Sequence, residues 1–237
     1  MPPAPISSDF LLAFSQSEIM RLYARLIAYL LVGIGVSSTF AGPYEDFVAA
    51  LKQDDAWRVS QLLQRGFDPH AMGPRRQSGL FLALQEPAPK VARVLVRWPG
   101  TRIDERNAAD ETPLMMAALK GHQGVAQLLI ERGADVNKTG WAPLHYAATG
   151  GQVALIQLLL EHHAYIDAES PNGTTPLMMA AQYGTLAAVK ALLEAGADPT
   201  LKNQLGLTAE DFAIQAGRQD VGTQIGLASR AKLPRGW

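Results

Sequence analysis

Three stretches of this chain align with one another: Thr112–Asn137, TPLMMAALKGHQGVAQLLIERGADVN; Ala142–Asp167, APLHYAATGGQVALIQLLLEHHAYID; and Thr175–Thr200, TPLMMAAQYGTLAAVKALLEAGADPT. Their starts lie 30 and 33 residues apart. A fixed period in this range is the mark of one supersecondary unit used repeatedly, and it outranks the reading of any single window. Carried outward, the phase places LTAEDFAIQAGRQDVGTQIG with Thr208 in register, SGLFLALQEPAPKVARVLVRW from Ser78, and EDFVAALKQDDAWRVSQLLQRGFD from Glu45. Six units result, about 45–77, 78–111, 112–141, 142–174, 175–207 and 208–228, followed by a tail at 229–237.

The unit from Thr175 shows why the pattern recurs. Pro176 stands in the first helical turn, where a missing N–H costs nothing, and Thr175 is placed to cap it. Leu177, Ala180 and Ala181 share one helical face, and the small alanines allow a second helix to approach closely. Gly184 is placed for the turn between helices, Val189, Leu192 and Leu193 give the second helix its apolar face, and Gly196 is placed to end it in the left-handed conformation. Residues around Asn203–Gly206 then form a projecting finger. Such a pair cannot bury both faces alone, so it needs neighbours.

These residues resemble the ankyrin repeat, whose T-P-L-H-x-A-A, G-H and L-L-x-x-G-A-D signatures recur over about 33 residues. The likeness covers residues 44–228, with Ser78 the weakest unit. It implies an all-α solenoid of about six helix-turn-helix units with short β-hairpin fingers. It also implies a partner held along the concave side by fingers and first helices.

Departures from the pattern carry their own expectations. The finger at Asn137–Gly140 is three residues short, so Lys138 and Thr139 should turn abruptly. Pro99 occupies the helix-ending position in the second unit, which predicts positive φ at Gly100 instead. His163 replaces the same glycine in the fourth unit, a mildly strained substitution. The first and last units carry Asp, Gln and Lys where inner units are apolar, as units with a solvent face should.

Composition narrows the function. With 21 basic against 22 acidic residues the net charge is −1, without the basic excess that phosphate-backbone binding draws on, so no nucleic-acid partner is expected. Zero Cys removes disulfides, thiolate zinc sites and cysteine nucleophiles. His122 and His145 sit at repeat positions with turn-bonding roles, and the adjacent His162 and His163 point about 100° apart, unlike an i, i+4 ligand pair. Asp54 and Asp55 read as a solvated cap at an inter-helix turn. The Met115–Met116 and Met178–Met179 pairs read as core. No phosphate loop and no catalytic constellation appears, so no enzyme, metal or cofactor is expected.

The N-terminus is a processing question. Arg21 and Arg25 precede the apolar run Leu26–Val36, and Ser37–Ala41 is made mostly of small residues, with Thr39 and Ala41 at the −3 and −1 positions of a cleavage site after Ala41. Residues 20–41 therefore read as a signal peptide and 1–19 as an over-extended leader before Met20. A spanning helix needs about 20 apolar residues, so an inner-membrane anchor is the alternative. The expectation is an exported bacterial protein of the periplasm or one that is secreted, monomeric, holding a protein partner. A membrane-anchored spacer and a secreted effector binding a host protein are the alternatives.

Phase puts Arg75, Gln77, Glu111, Lys120, Trp141, Gln182, Tyr183 and Leu205 on the partner-binding side. Trp141 and Tyr183 stand out as aromatic anchors at positions where the repeat asks for none. The competing reading is that Trp141 packs under the shortened finger.

Overall fold

A computed structural model of the chain describes residues 42–72 and 77–232. The signal, leader and anchor expectations for residues 1–41, and Arg75, lie outside these. The described residues contain twelve helices and no strand: α1 (Pro43–Lys52), α2 (Ala56–Gln64), α3 (Gly79–Gln85), α4 (Pro89–Arg97), α5 (Pro113–Lys120), α6 (Gln123–Glu131), α7 (Pro143–Thr149), α8 (Val153–Glu161), α9 (Pro176–Gln182), α10 (Leu186–Glu194), α11 (Ala209–Gln215) and α12 (Gln219–Lys232). Odd-numbered helices form an inner layer and even-numbered ones an outer layer, each packing on its counterparts in neighbouring units. This is the expected helical solenoid.

Three of the six inner helices, α5, α9 and α11, start with a reciprocal cap. Thr112 Oγ1 accepts from Met115 N at 3.3 Å, while Met115 Sδ accepts from Thr112 N at 3.3 Å. Thr175 and Met178 repeat this, and Thr208 and Asp211 do so with a carboxylate oxygen. In α7 Ala142 has no hydroxyl, and His145 Nδ1 alone takes the Ala142 N–H at 3.1 Å. A thioether, an imidazole and a carboxylate thus do one job, satisfying an orphan donor at a helix start.

Between inner layers lie the alanine pairs, with Ala117, Ala118, Ala147, Ala148, Ala180 and Ala181 all fully buried. The first unit solves the packing differently. Phe47 takes the position of the later leucines and stacks on Phe67 at 5.0 Å. Gly79 stands where later units have proline or alanine, because a Cβ there would fall 2.6 Å from the Phe47 ring.

Gly100 adopts φ 83° and His163 φ 64°, as expected. Gly184 is required for another reason than turn conformation: it lacks positive φ, and an added Cβ would sit 2.3 Å from Ala148 O. The glycine lets one unit's turn rest on the previous unit's backbone.

The fingers are tighter than hairpins of strands. Single backbone bonds close them, from Asn107 N to Glu111 O, Ser170 N to Thr174 O and Asn203 N to Leu207 O, at 3.0–3.1 Å. At the shortened finger Lys138 is only 4% exposed. Its Nζ donates to Asp110 Oδ2 of the preceding finger at 2.6 Å and to Thr139 O at 3.2 Å. That ammonium holds the Asp110 carboxyl below its usual range.

The Asp54–Asp55 pair needs correction. Asp55 caps its own helix through Arg58 N, but Asp54 Oδ1 accepts from both Lys90 N and Val91 N at 2.9 Å. It caps α4 of the next unit, where Ala88 has no side-chain oxygen to do so.

Two consequences are measurable. Gly184→Ala should lower stability by about 1–3 kcal/mol, since a methyl group would be forced against backbone, and Asp54→Ala by about 1 kcal/mol through loss of a helix cap. Thermal melting of the two variants checks both, and an unchanged Gly184→Ala melt would contradict the close approach.

Candidate partner-binding surface

The inner-helix C-termini and the fingers present the positions predicted for contact. In phase at the helix ends stand Glu86, Lys120, Gly150 and Tyr183. Neighbouring units meet here closely, since a Cβ on Gly150 would fall 2.4 Å from Leu119 O. Gly150 therefore presents no side chain between the exposed Lys120 and Tyr183, which is 61% exposed. Gln182 beside Tyr183 is half-buried.

Leu205 stands apart on the sixth unit's finger, 79% exposed. Its backbone N–H is held by Asn203 Oδ1, and the neighbouring Gln204 bonds the previous finger twice, through its N–H to Asn172 O and its amide to Pro171 O. An apolar side chain is thus presented in water on a fastened backbone.

Other predicted contacts have structural work. Glu111 accepts from Asn107 Nδ2 at 2.6 Å and from the Tyr146 hydroxyl at 2.9 Å. Burial, with help from that carboxylate, pushes the Tyr146 phenol far above its ordinary value. Gln77 is half-buried, and its carbonyl oxygen is enclosed without a hydrogen-bond partner among the described residues.

Trp141 is not a free anchor. It is half-buried and meets the His145 ring edge-on, with centroids 5.2 Å apart and planes at 75°. It thus has a packing contact with α7 and keeps part of its surface in solvent.

His145 itself is fully buried, with Nε2 bonded to Thr174 O at 2.9 Å. Because Nδ1 accepts from Ala142 N, the neutral tautomer carrying its proton on Nε2 satisfies both bonds. Burial pushes the imidazole below its ordinary value. His122 likewise ties units together, bonding Leu84 O at 3.0 Å. Among the described residues no group of three or more His, Cys, Asp or Glu could hold a metal ion, and no helix is long and apolar enough to cross a membrane.

One exposed aromatic was not singled out in sequence. Trp57 on α2 is 73% exposed. The repeat phase could have found it, because it shares an outer-helix position with Lys90, Gly124, Ala154 and Ala187.

Comparison with known proteins agrees with this geometry. A family model described as ankyrin repeats in three copies matches residues 47–139, 80–170 and 144–223. The chain belongs to the ankyrin-repeat family. It is similar to the B-cell lymphoma 3 protein homolog of Mus musculus, 31% identical over 180 residues, covering 73% of this chain and 40% of that protein. The human B-cell lymphoma 3 protein is 35% identical over 152 residues, covering 61% of this chain and 34% of that protein. The Nuclear factor NF-kappa-B p105 subunit of Gallus gallus is 33% identical over the same length, covering 61% of this chain and 16% of that protein. The chain thus spans well under half of these relatives, all of which are eukaryotic, and the likeness does not extend to a bacterial source or to export. Ankyrin repeats are in general protein-interaction modules, without a catalytic role.

Acidification should weaken this ankyrin domain through His145. Its folded pKa lies below the unfolded one, so between the two the unfolded chain binds a proton that the folded chain refuses. Stability is then full above about pH 6.5 and falls as pH drops below it. His145→Met, which copies Met115 and Met178, should shrink the difference in melting temperature between neutral and mildly acidic buffer. A difference that stays the same would assign it to other groups. Trp141→Ala should cost about 1 kcal/mol through the lost aromatic contact, whereas Tyr183→Ala should leave melting unchanged.

Proposed function

We propose that this chain is a non-enzymatic, monomeric binding module that holds a protein partner on the side formed by the fingers and inner helices. Tyr183 and Leu205 would anchor the partner, with Lys120 and Gln182 beside them. The observation that carries the proposal is that these two large side chains stand in solvent on well-fastened backbone, with no packing role in the fold. Tyrosine is among the residue types that carry most of the energy in protein interfaces, and Leu205 would add apolar area beside it. The reading further includes export by way of residues 20–41, so that the partner is met in the periplasm or outside the cell. The basic flank, the eleven-residue apolar run and the small residues ending at Ala41 support it.

Photo-crosslinkers placed at positions 183 and 205, with a control at Gln157 on α8, test the surface. The expected outcome is one discrete adduct from both test positions and none from the control, with capture reduced about tenfold or more in the Tyr183→Ala, Leu205→Ala double variant. Adducts of equal yield at Gln157, or unaltered capture by the double variant, would overturn the assignment. N-terminal sequencing of the protein from its own cells tests export, and a mature start far from Gly42 would refute the cleavage.

A further inference from the structure

The outer helices carry a charge pattern that the partner-binding side does not use. In α4, Lys90, Arg93 and Arg97 are spaced three and four residues apart, so they share one face, and all three are exposed. The helix contains no acidic residue. Among the described residues none of the three lies within ion-pairing distance of a carboxylate. Of the acids nearby, Asp54 accepts from two backbone N–H groups of α4, Asp55 from the start of α2 and Glu131 from the Gln127 amide, and Glu86 at the end of α3 is exposed; none of them pairs with these three cations.

Two further features extend this stripe. Because Asp54 bonds Lys90 N and Val91 N, the start of α2 lies against the start of α4, and the exposed Trp57 holds on α2 the same second-residue position that Lys90 holds on α4. On the other side Arg93 reaches over Gly124 of α6, its Nη2 lying 2.6 Å from where a Cβ would stand. Further along the solenoid the sign reverses, since Glu131, Glu161 and Glu194 occupy the Arg97 position in α6, α8 and α10 and all are exposed. The Arg93 position keeps a base, the exposed Lys190, in α10, but among the described outer helices α4 alone carries three bases along one face, next to a bare indole.

We propose that this face of the second unit, with Trp57, docks on an anionic bilayer surface. Lys90, Arg93 and Arg97 would engage lipid phosphates and carboxylates, and Trp57 would sit at headgroup depth, the region where indoles partition best. A membrane suits the stripe better than an acidic polypeptide. Its cations point outward along one straight face, with no hydrogen-bonded pocket to orient individual carboxylates. A solvated surface helix would ordinarily intersperse acids with its bases, and α4 does not.

Co-sedimentation of the full chain with phosphatidylcholine vesicles, alone or with about one-third phosphatidylserine, tests this. Binding should require phosphatidylserine and be reversed by high salt. Each basic residue contributes roughly fivefold, so Lys90→Gln, Arg93→Gln, Arg97→Gln together should weaken it about a hundredfold, with unchanged helicity. Trp57→Ala should weaken it several-fold. If the apolar run Leu26–Val36 inserts, it adds binding independent of phosphatidylserine and of these charges, so the difference still isolates the face. Equal binding by the triple variant, or equal binding to both vesicles, would overturn the proposal. Charge-dependent binding to a polyglutamate peptide, with no preference between the vesicles, would reassign the face to an acidic protein.

Discussion

Lateral burial between neighbouring units is the constraint on which everything else in this protein depends. No helix pair covers its own apolar surface: the alanines of α5, α7 and α9 are removed from water only because another inner helix lies against them. Stability in such a stack is close to a sum of nearest-neighbour terms. Features that bring units close therefore matter more than those within a unit. Gly150 and Gly184 let backbone touch backbone, and Phe47 with Gly79 reaches the same closeness by a different pair of sizes.

Polar groups reinforce this stacking through one recurring position. His70, Asp104, Asn137 and Asp167 each bond the loop of the following unit, through Gly100 O, Asp135 N, His163 O with Tyr165 N, and Asp198 N respectively. The residue type varies because both donors and acceptors are on offer in a loop. The same freedom appears in the caps, where Thr–Met, Ala–His and Thr–Asp pairs are interchangeable. Lys138 adds a special case, in which a finger too short to stand alone is fastened to its predecessor by a buried ammonium.

Because the frame is secured internally, its outward positions are free to vary, and the two sides have diverged. The finger side offers an aromatic and an aliphatic side chain. The outer side gathers three unpaired bases on one helix, α4. A net charge of −1 conceals both. A fold used so widely does not carry its function with it, and the relatives, of which this chain spans only a fraction, leave the partner to be found from these surfaces.

The repeat phase by itself determined the helical solenoid, the left-handed residues at Gly100 and His163, and the structural duties of His122 and His145. It could do so because each unit presents the same local problem of capping, turning and burying one face, and solves it with residues at fixed offsets. Only the tertiary structure decided what lies between units. Asp54 reads locally as a solvated cap but serves α4, thirty-six residues away. Trp141 reads as an anchor and also rests on His145, and Glu111 reads as a contact residue and is also held by Tyr146 of α7, thirty-five residues away. Trp57, in an ordinary outer-helix position by phase, emerges beside an unpaired basic stripe. Contacts across the stack depend on how far each side chain reaches and on what its neighbour leaves unsatisfied, and the spacing of residues along the chain records neither.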